Sequence, residues 1–78
     1  MNTQDRIIAM IKDTLKFEDK EITAETNLYK DLGVDSLDAV ELIMAIEEEF
    51  EIEIPDEELP NLNQVDAIVK YVEAHKAE

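Results

Sequence analysis

The chain has 78 residues, with 21 Asp and Glu against 7 Lys and Arg, a formal net charge of −14 and no cysteine. Such a length holds one small domain, expected over residues 1–78, near the lower limit of what a single core supports. The charge argues against nucleic-acid binding and against attraction to anionic membranes, and the absence of cysteine excludes disulfides, a Cys-built metal site and any thiol of the protein's own.

The N-terminus, Met1-Asn2-Thr3-Gln4-Asp5, lacks the basic region and apolar run of a signal peptide, so the mature chain is expected to begin near Met1. No stretch approaches transmembrane length, and a cytoplasmic monomer is the expectation, like charge opposing self-association. From Thr3 to Leu15 the apolar residues Ile7, Ile8, Ile11 and Leu15 recur at helical spacing. Thr3 is the predicted N-cap of this first helix, with Asp5 suited to its first turn and Lys12 and Lys16 to its C-terminal end.

Between Phe17 and Asp35 the periodicity fades into a long polar loop, in which Ile22, Leu28, Leu32 and Val34 are expected to pin the chain across the core. Thr26 is a candidate cap for a single turn over Asn27 to Asp31, and Gly33 supplies the backbone freedom to redirect into the next helix.

The second helix runs from Leu37 to about Phe50. Ala39, Leu42, Ile43, Ile46 and Phe50 gather on one face, the predicted core side. Leu37, Val40 and Met44 form a second apolar line among Glu41, Glu47 and Glu48, which suits a docking ridge: apolar contact for affinity and charge for steering. The alternative is that Leu37 and Val40 touch the core from its edges and the glutamates are only a solvated face. Twelve acids lie between Asp31 and Glu58 with no Lys or Arg among them, which favours docking, because crowding like charge raises the cost of folding.

Two local roles are open to Ser36, at the start of this helix. With Asp35 as N-cap and Asp38 in the place a Glu takes in a capping box, Ser36 falls at the first helical position with its side chain free. Alternatively Ser36 is itself the cap, the usual role of a serine at a helix start and the one that local pattern alone favours. A free hydroxyl there would suit a phosphodiester, since the unpaired amides of a first turn and the positive end of the helix dipole stabilise a phosphate.

Phe50-Glu51-Ile52-Glu53-Ile54 alternates, but no second strand exists to pair with it, so it is predicted as an extended connector with Phe50, Ile52 and Ile54 turned inward. Pro55, or Asp56 as cap, then opens at most one helical turn through Leu59, ended by Pro60. Asn63 with Asp66 makes a cap-like pair for the last helix, whose Val65, Ile68, Val69 and Val72 repeat at core spacing up to about His75. The fold class that follows is all-α: a small antiparallel four-helix bundle with three main helices, one short third helix and a long first loop.

Catalysis needs a nucleophile with a base in reach, paired carboxylates in a pocket, or a metal cage. The single histidine, His75, is far along the chain from Ser36 and suits a solvated residue near a helix end, so a non-catalytic protein is expected. The acids at 31, 35, 38 and 41 do not follow the EF-hand order, so no defined metal site is predicted, only weak divalent-cation binding that would relieve repulsion.

Asp35-Ser36-Leu37, preceded by Asp31-Leu32-Gly33 and followed by Val40-Glu41-Leu42, Glu47-Glu48-Glu49-Phe50 and Ile54-Pro55-Asp56-Glu57, resembles the acyl carrier protein family. The likeness runs in one register through nearly all of the chain and is densest from Asp31 to Glu58. It implies that Ser36 receives 4′-phosphopantetheine from coenzyme A, through a phosphopantetheinyl transferase (a holo-ACP synthase) that uses Mg²⁺. Growing acyl chains would ride on the terminal thiol as thioesters. It further implies that Asp35, Leu37, Asp38, Val40, Glu41, Met44, Glu47 and Glu48 meet basic patches on fatty-acid synthesis enzymes. The core of mostly aliphatic side chains suggests that an acyl chain can tuck between the helices. Carriers for polyketide, amino-acyl or specialised lipid synthesis share the serine and the bundle, and an unmodified acidic interaction module remains the reading from another class.

Overall fold

A computed structural model describes residues 2–75. The expected start of the mature chain at Met1 and the last three positions of the expected domain lie outside them. Three α-helices and one 3₁₀ helix make up the regular structure: α1 (Thr3–Leu15), α2 (Ser36–Phe50), the 3₁₀ helix (Asp56–Asn61) and α3 (Val65–His75). Among the described residues there is no strand, only an isolated bridge between Asn27 and Gln64. The all-α class with three main helices and a short third one is thus the observed one.

The helix α1 packs against both α2 and α3. Its contribution to the core is Ile7 and Ile11, which meet Leu42 and Ile46 of α2 and Val65, Ile68 and Val72 of α3 in one buried aliphatic cluster. All five residues assigned to the core side of α2 are buried. The long loop is pinned as its apolar residues predict: Ile22, Leu28 and Val34 are buried in the same cluster and Leu32 packs partly against it.

The helix starts differ in detail from the sequence expectation. Asn2, not Thr3, caps α1: its side-chain oxygen accepts from the Asp5 amide at 2.8 Å, while Thr3 lies buried in the first turn. Asn is at least as good a cap as Thr, and the threonine methyl gains from burial. In the loop Asn27, not Thr26, organises the single turn, its Oδ1 accepting from the amides of Tyr29 and Lys30 while Asp31 Oδ2 accepts from the Asn27 amide at 2.7 Å. An Asn side chain reaches amides two and three residues on in the manner of an Asx turn. Thr26 is buried and its hydroxyl instead accepts from the Thr23 amide at 2.9 Å.

No Asn63–Asp66 side-chain pair starts α3. Carbonyls of the long loop take over the helix's first amides, Val65 donating to Thr26 O at 3.1 Å and Asp66 to Ala24 O at 2.9 Å. Leu28 returns a bond from its own amide to Asn63 O at 2.8 Å, so loop and helix start are tied both ways. Satisfying helix-end amides from the loop leaves no need for a side-chain cap.

Pro60 does not end the short third helix but lies inside it. Its missing N–H costs one bond, and the turns on either side still close, Glu58 donating to Pro55 O and Leu62 to Leu59 O. Pro55 occupies the cap position without a side-chain bond. The connector before it behaves as predicted in its sidedness: Phe50 and Ile54 are buried, Ile52 is half-buried, and Glu51 and Glu53 are exposed.

Both α1 and α2 end on a left-handed residue that is not glycine, Lys16 at φ 62° and Glu51 at φ 57°. Holding a side chain in that conformation costs about 1–2 kcal/mol, and at Glu51 an acid also opposes the negative end of the helix dipole. Glu51→Gly relieves both and is expected to stabilise the protein by about 1 kcal/mol, raising Tm by roughly 4–8 °C in thermal unfolding. An unchanged or lower Tm refutes this account of the helix end.

Candidate functional site

The site is built where the loop enters α2. Gly33 has φ +68°, with nothing within 4 Å of where a Cβ would lie, so its requirement is backbone freedom and not space. Asp35 follows in extended conformation and caps α2, its Oδ1 accepting from the Asp38 amide at 2.8 Å. The Ala39 amide closes the first helical bond on Asp35 O at 2.9 Å.

Ser36 is therefore the first helical residue and is exposed. Its hydroxyl makes no hydrogen bond among the described residues. The open choice between cap and free hydroxyl resolves to Asp35 as the cap. The amides of Ser36 and Leu37, at the head of the helix, have no carbonyl four residues back within it and point outward at its positive end. This donor set fits a phosphate esterified on Ser36 Oγ.

The apolar line on α2 stands out in solvent: Leu37 is 79% exposed, Met44 60% and Val40 41%. Leu37 and Val40 are not core-edge residues. Asp35, Asp38, Glu41 and Glu48 are exposed beside them, so the structure brings these residues onto one surface with Ser36.

Glu47 stands apart. Its carboxylate turns toward the connector and accepts from the Ile54 amide at 2.7 Å in a partly buried position. Glu49, on the other side of the helix, pairs with Arg6 of α1 at 2.6 Å, and the same guanidinium lies 4.5 Å from the Phe50 ring centroid. This half-exposed ion pair contributes about 0–1 kcal/mol and serves chiefly to register α1 against α2. Sequence reasoning missed it, because a pair so far apart along the chain has no local spacing signal. It missed Tyr29 too, a loop aromatic that is 38% exposed.

Two shallow grooves flank the C-terminal half of α2. One of about 360 Å³ is lined by Met44, Glu47, Glu48, Ile52 and Glu53, the other of about 340 Å³ by Glu47, Glu53, Ile54, Pro55 and Asp56. Tyr71 of α3 donates its hydroxyl to Glu53 O at 3.3 Å. Partial burial, then the nearby Glu58 and Glu47 carboxylates, raise its pKa above the ordinary tyrosine value, which keeps it a donor. His75 stacks on Tyr71 with centroids 4.1 Å apart, and its Nδ1 lies 2.9 Å from Tyr71 O, a local contact far along the chain from Ser36. No group of three or more His, Cys, Asp or Glu among the described residues is arranged to hold a metal ion. Nor is any helix among them long and apolar enough to cross a membrane.

Residues 5–72 match the family model described as a phosphopantetheine attachment site. The chain belongs to this family. Membership makes it a non-catalytic carrier with phosphopantetheine as its covalent group. A solved structure of a candidate acyl carrier protein from Mycobacterium tuberculosis superposes on the carrier with a TM-score of 0.86 at 34% identity, covering 94% of this chain and 97% of that one. With no cysteine of its own, the carrier depends on the attached group for a thiol.

Proposed function

We propose that Ser36 is the attachment residue, and that residues 1–78 form one monomeric cytoplasmic carrier domain that moves growing acyl chains among fatty-acid synthesis enzymes. The observation that carries this reading is the division of labour at the head of α2: Asp35 does the capping, so the Ser36 hydroxyl is exposed and uncommitted. When attached, 4′-phosphopantetheine supplies the thiol on which acyl groups travel as thioesters. The chain's part is to present Ser36 Oγ, to stabilise the phosphodiester with the first-turn amides, and to dock.

Docking falls to the ridge of Leu37, Val40 and Met44 with Asp35, Asp38, Glu41 and Glu48 around it. Exposed acids steer basic partners to the serine, and a small apolar contact holds them briefly, as a carrier that must leave each enzyme requires. The groove beside Met44 and Ile52 is where an acyl chain would first find apolar surface. The fatty-acid role, over polyketide or amino-acyl carriage, rests on how closely the run from Asp31 to Glu58 resembles acyl carrier proteins.

Intact-mass measurement tests the attachment. Incubation with coenzyme A, Mg²⁺ and a broad-specificity phosphopantetheinyl transferase is expected to add one phosphopantetheine, mapped by fragmentation to Ser36. A mass gain on another residue, or none on folded protein, sinks the assignment. Reconstitution of the loaded protein with fatty-acid elongation enzymes then tests the pathway, and failure there alone turns the cargo toward the other carrier classes.

A further inference from the structure

Residue 47 receives three main-chain amides from the segment that leaves α2. The amides of Glu51 and Ile52 both donate to Glu47 O, the latter at 3.2 Å, in a Schellman-like close of the helix. Its carboxylate then takes the Ile54 amide at 2.7 Å, three residues beyond the left-handed turn. Ile54 has its side chain buried in the core, so its amide is drawn into a partly buried position where water serves it poorly. Pro55, next along, has no amide to offer. A partly buried amide needs a partner, and a charged acceptor makes a stronger bond than a neutral one.

We propose that Glu47 is a latch and not a docking acid: its carboxylate holds the connector of residues 51–55 against the end of α2, and breaking that one bond lets the connector lift there. The placement supports this. Glu47 is half-buried whereas its neighbour Glu48 and the docking acids Asp38 and Glu41 are exposed. Glu47 also lines both grooves, and its bond partner Ile54 lines the second, so the bond lies where the two grooves share their lining. Lifting the connector joins the two into one opening that leads to Ile54 in the core.

Amide hydrogen exchange by NMR tests the latch on the unmodified protein, so failure of loading at Ser36 leaves the result readable. The readout is the exchange rate of the Ile54 amide relative to that of Ile46, which is fully buried within α2 and reports global unfolding. Glu47→Ala is expected to speed Ile54 exchange about tenfold or more over Ile46. Glu47→Gln, which keeps an acceptor at the same reach, is expected to restore most of the protection. Glu48→Ala removes the same charge one residue away and is expected to leave the ratio unchanged. Equal acceleration of Ile54 and Ile46 in Glu47→Ala overturns the latch, as does an effect of Glu48→Ala as large as that of Glu47→Ala. Failure of Gln to rescue overturns it too.

Discussion

Ser36→Ala is expected to lose loading completely while keeping the fold. A phosphodiester needs an oxygen at this position, and alanine leaves none, so no mass is gained from coenzyme A under conditions that load the wild type in full. The stability side of the expectation follows from the cap. If Ser36 were the N-cap, its replacement by alanine would cost about 1 kcal/mol. Because Asp35 Oδ1 takes the Asp38 amide and Ser36 is exposed at the first helical position, the change should stay within about 0.5 kcal/mol. Alanine is also the better helix former, which offsets any small loss of solvation. Thermal unfolding beside intact-mass analysis separates the two roles. A Tm lowered by several degrees would make Ser36 a structural residue, and residual loading of the mutant would move the attachment site elsewhere.

How far the sequence carries depends on the range of each interaction. Periodicity reports which residues face the core, and Ala39, Leu42, Ile43, Ile46 and Phe50 are all buried on α2 as their spacing predicts. The same logic separates the outward line of Leu37, Val40 and Met44. Caps are legible only when one residue is clearly better than its neighbour. None of these starts is such a case: Asp35 and Ser36 are about equally good caps and local pattern favours the serine, while Thr3 and Thr26 each stand beside an asparagine that caps at least as well, and the fold buries the threonine and uses the asparagine. The start of α3 was not legible as a side-chain cap because its amides are met by carbonyls of Ala24 and Thr26, some forty residues earlier in the chain. Pro60 misled for a physical reason: a proline stops an α-helix, but a short 3₁₀ helix tolerates the loss of one bond. In the site, charge pattern placed Glu47 with Glu48 because adjacent glutamates look alike in sequence. Only the fold reveals that one carboxylate reaches the Ile54 amide.

Leu42→Ala and Leu37→Ala make the sharpest test of how α2 divides its two faces, since the same truncation five residues apart should fail in opposite ways. Leu42 is fully buried in the core cluster, and removing its side chain loses the transfer term and leaves a cavity that the surrounding side chains close only in part. The expected cost is about 2–5 kcal/mol. A domain of 78 residues holds only about 4–12 kcal/mol in all, so Tm should fall on the order of 15 °C and a large fraction of the protein should unfold at 37 °C. Leu37, 79% exposed, has almost no burial to lose, and its truncation should change stability by less than about 0.5 kcal/mol. What Leu37→Ala should lose is contact with partners. An exposed leucine next to the proposed attachment residue fits an anchor that becomes buried on docking, and its truncation should raise the KM for transferase loading about tenfold with kcat little changed. Leu42→Ala, measured at a temperature where it is still folded, should load with an unchanged KM. A large stability loss in Leu37→Ala would return that residue to the core edge and remove the ridge. An unchanged KM in a stable Leu37→Ala would place docking on the acids alone, with charge both steering the encounter and holding the complex.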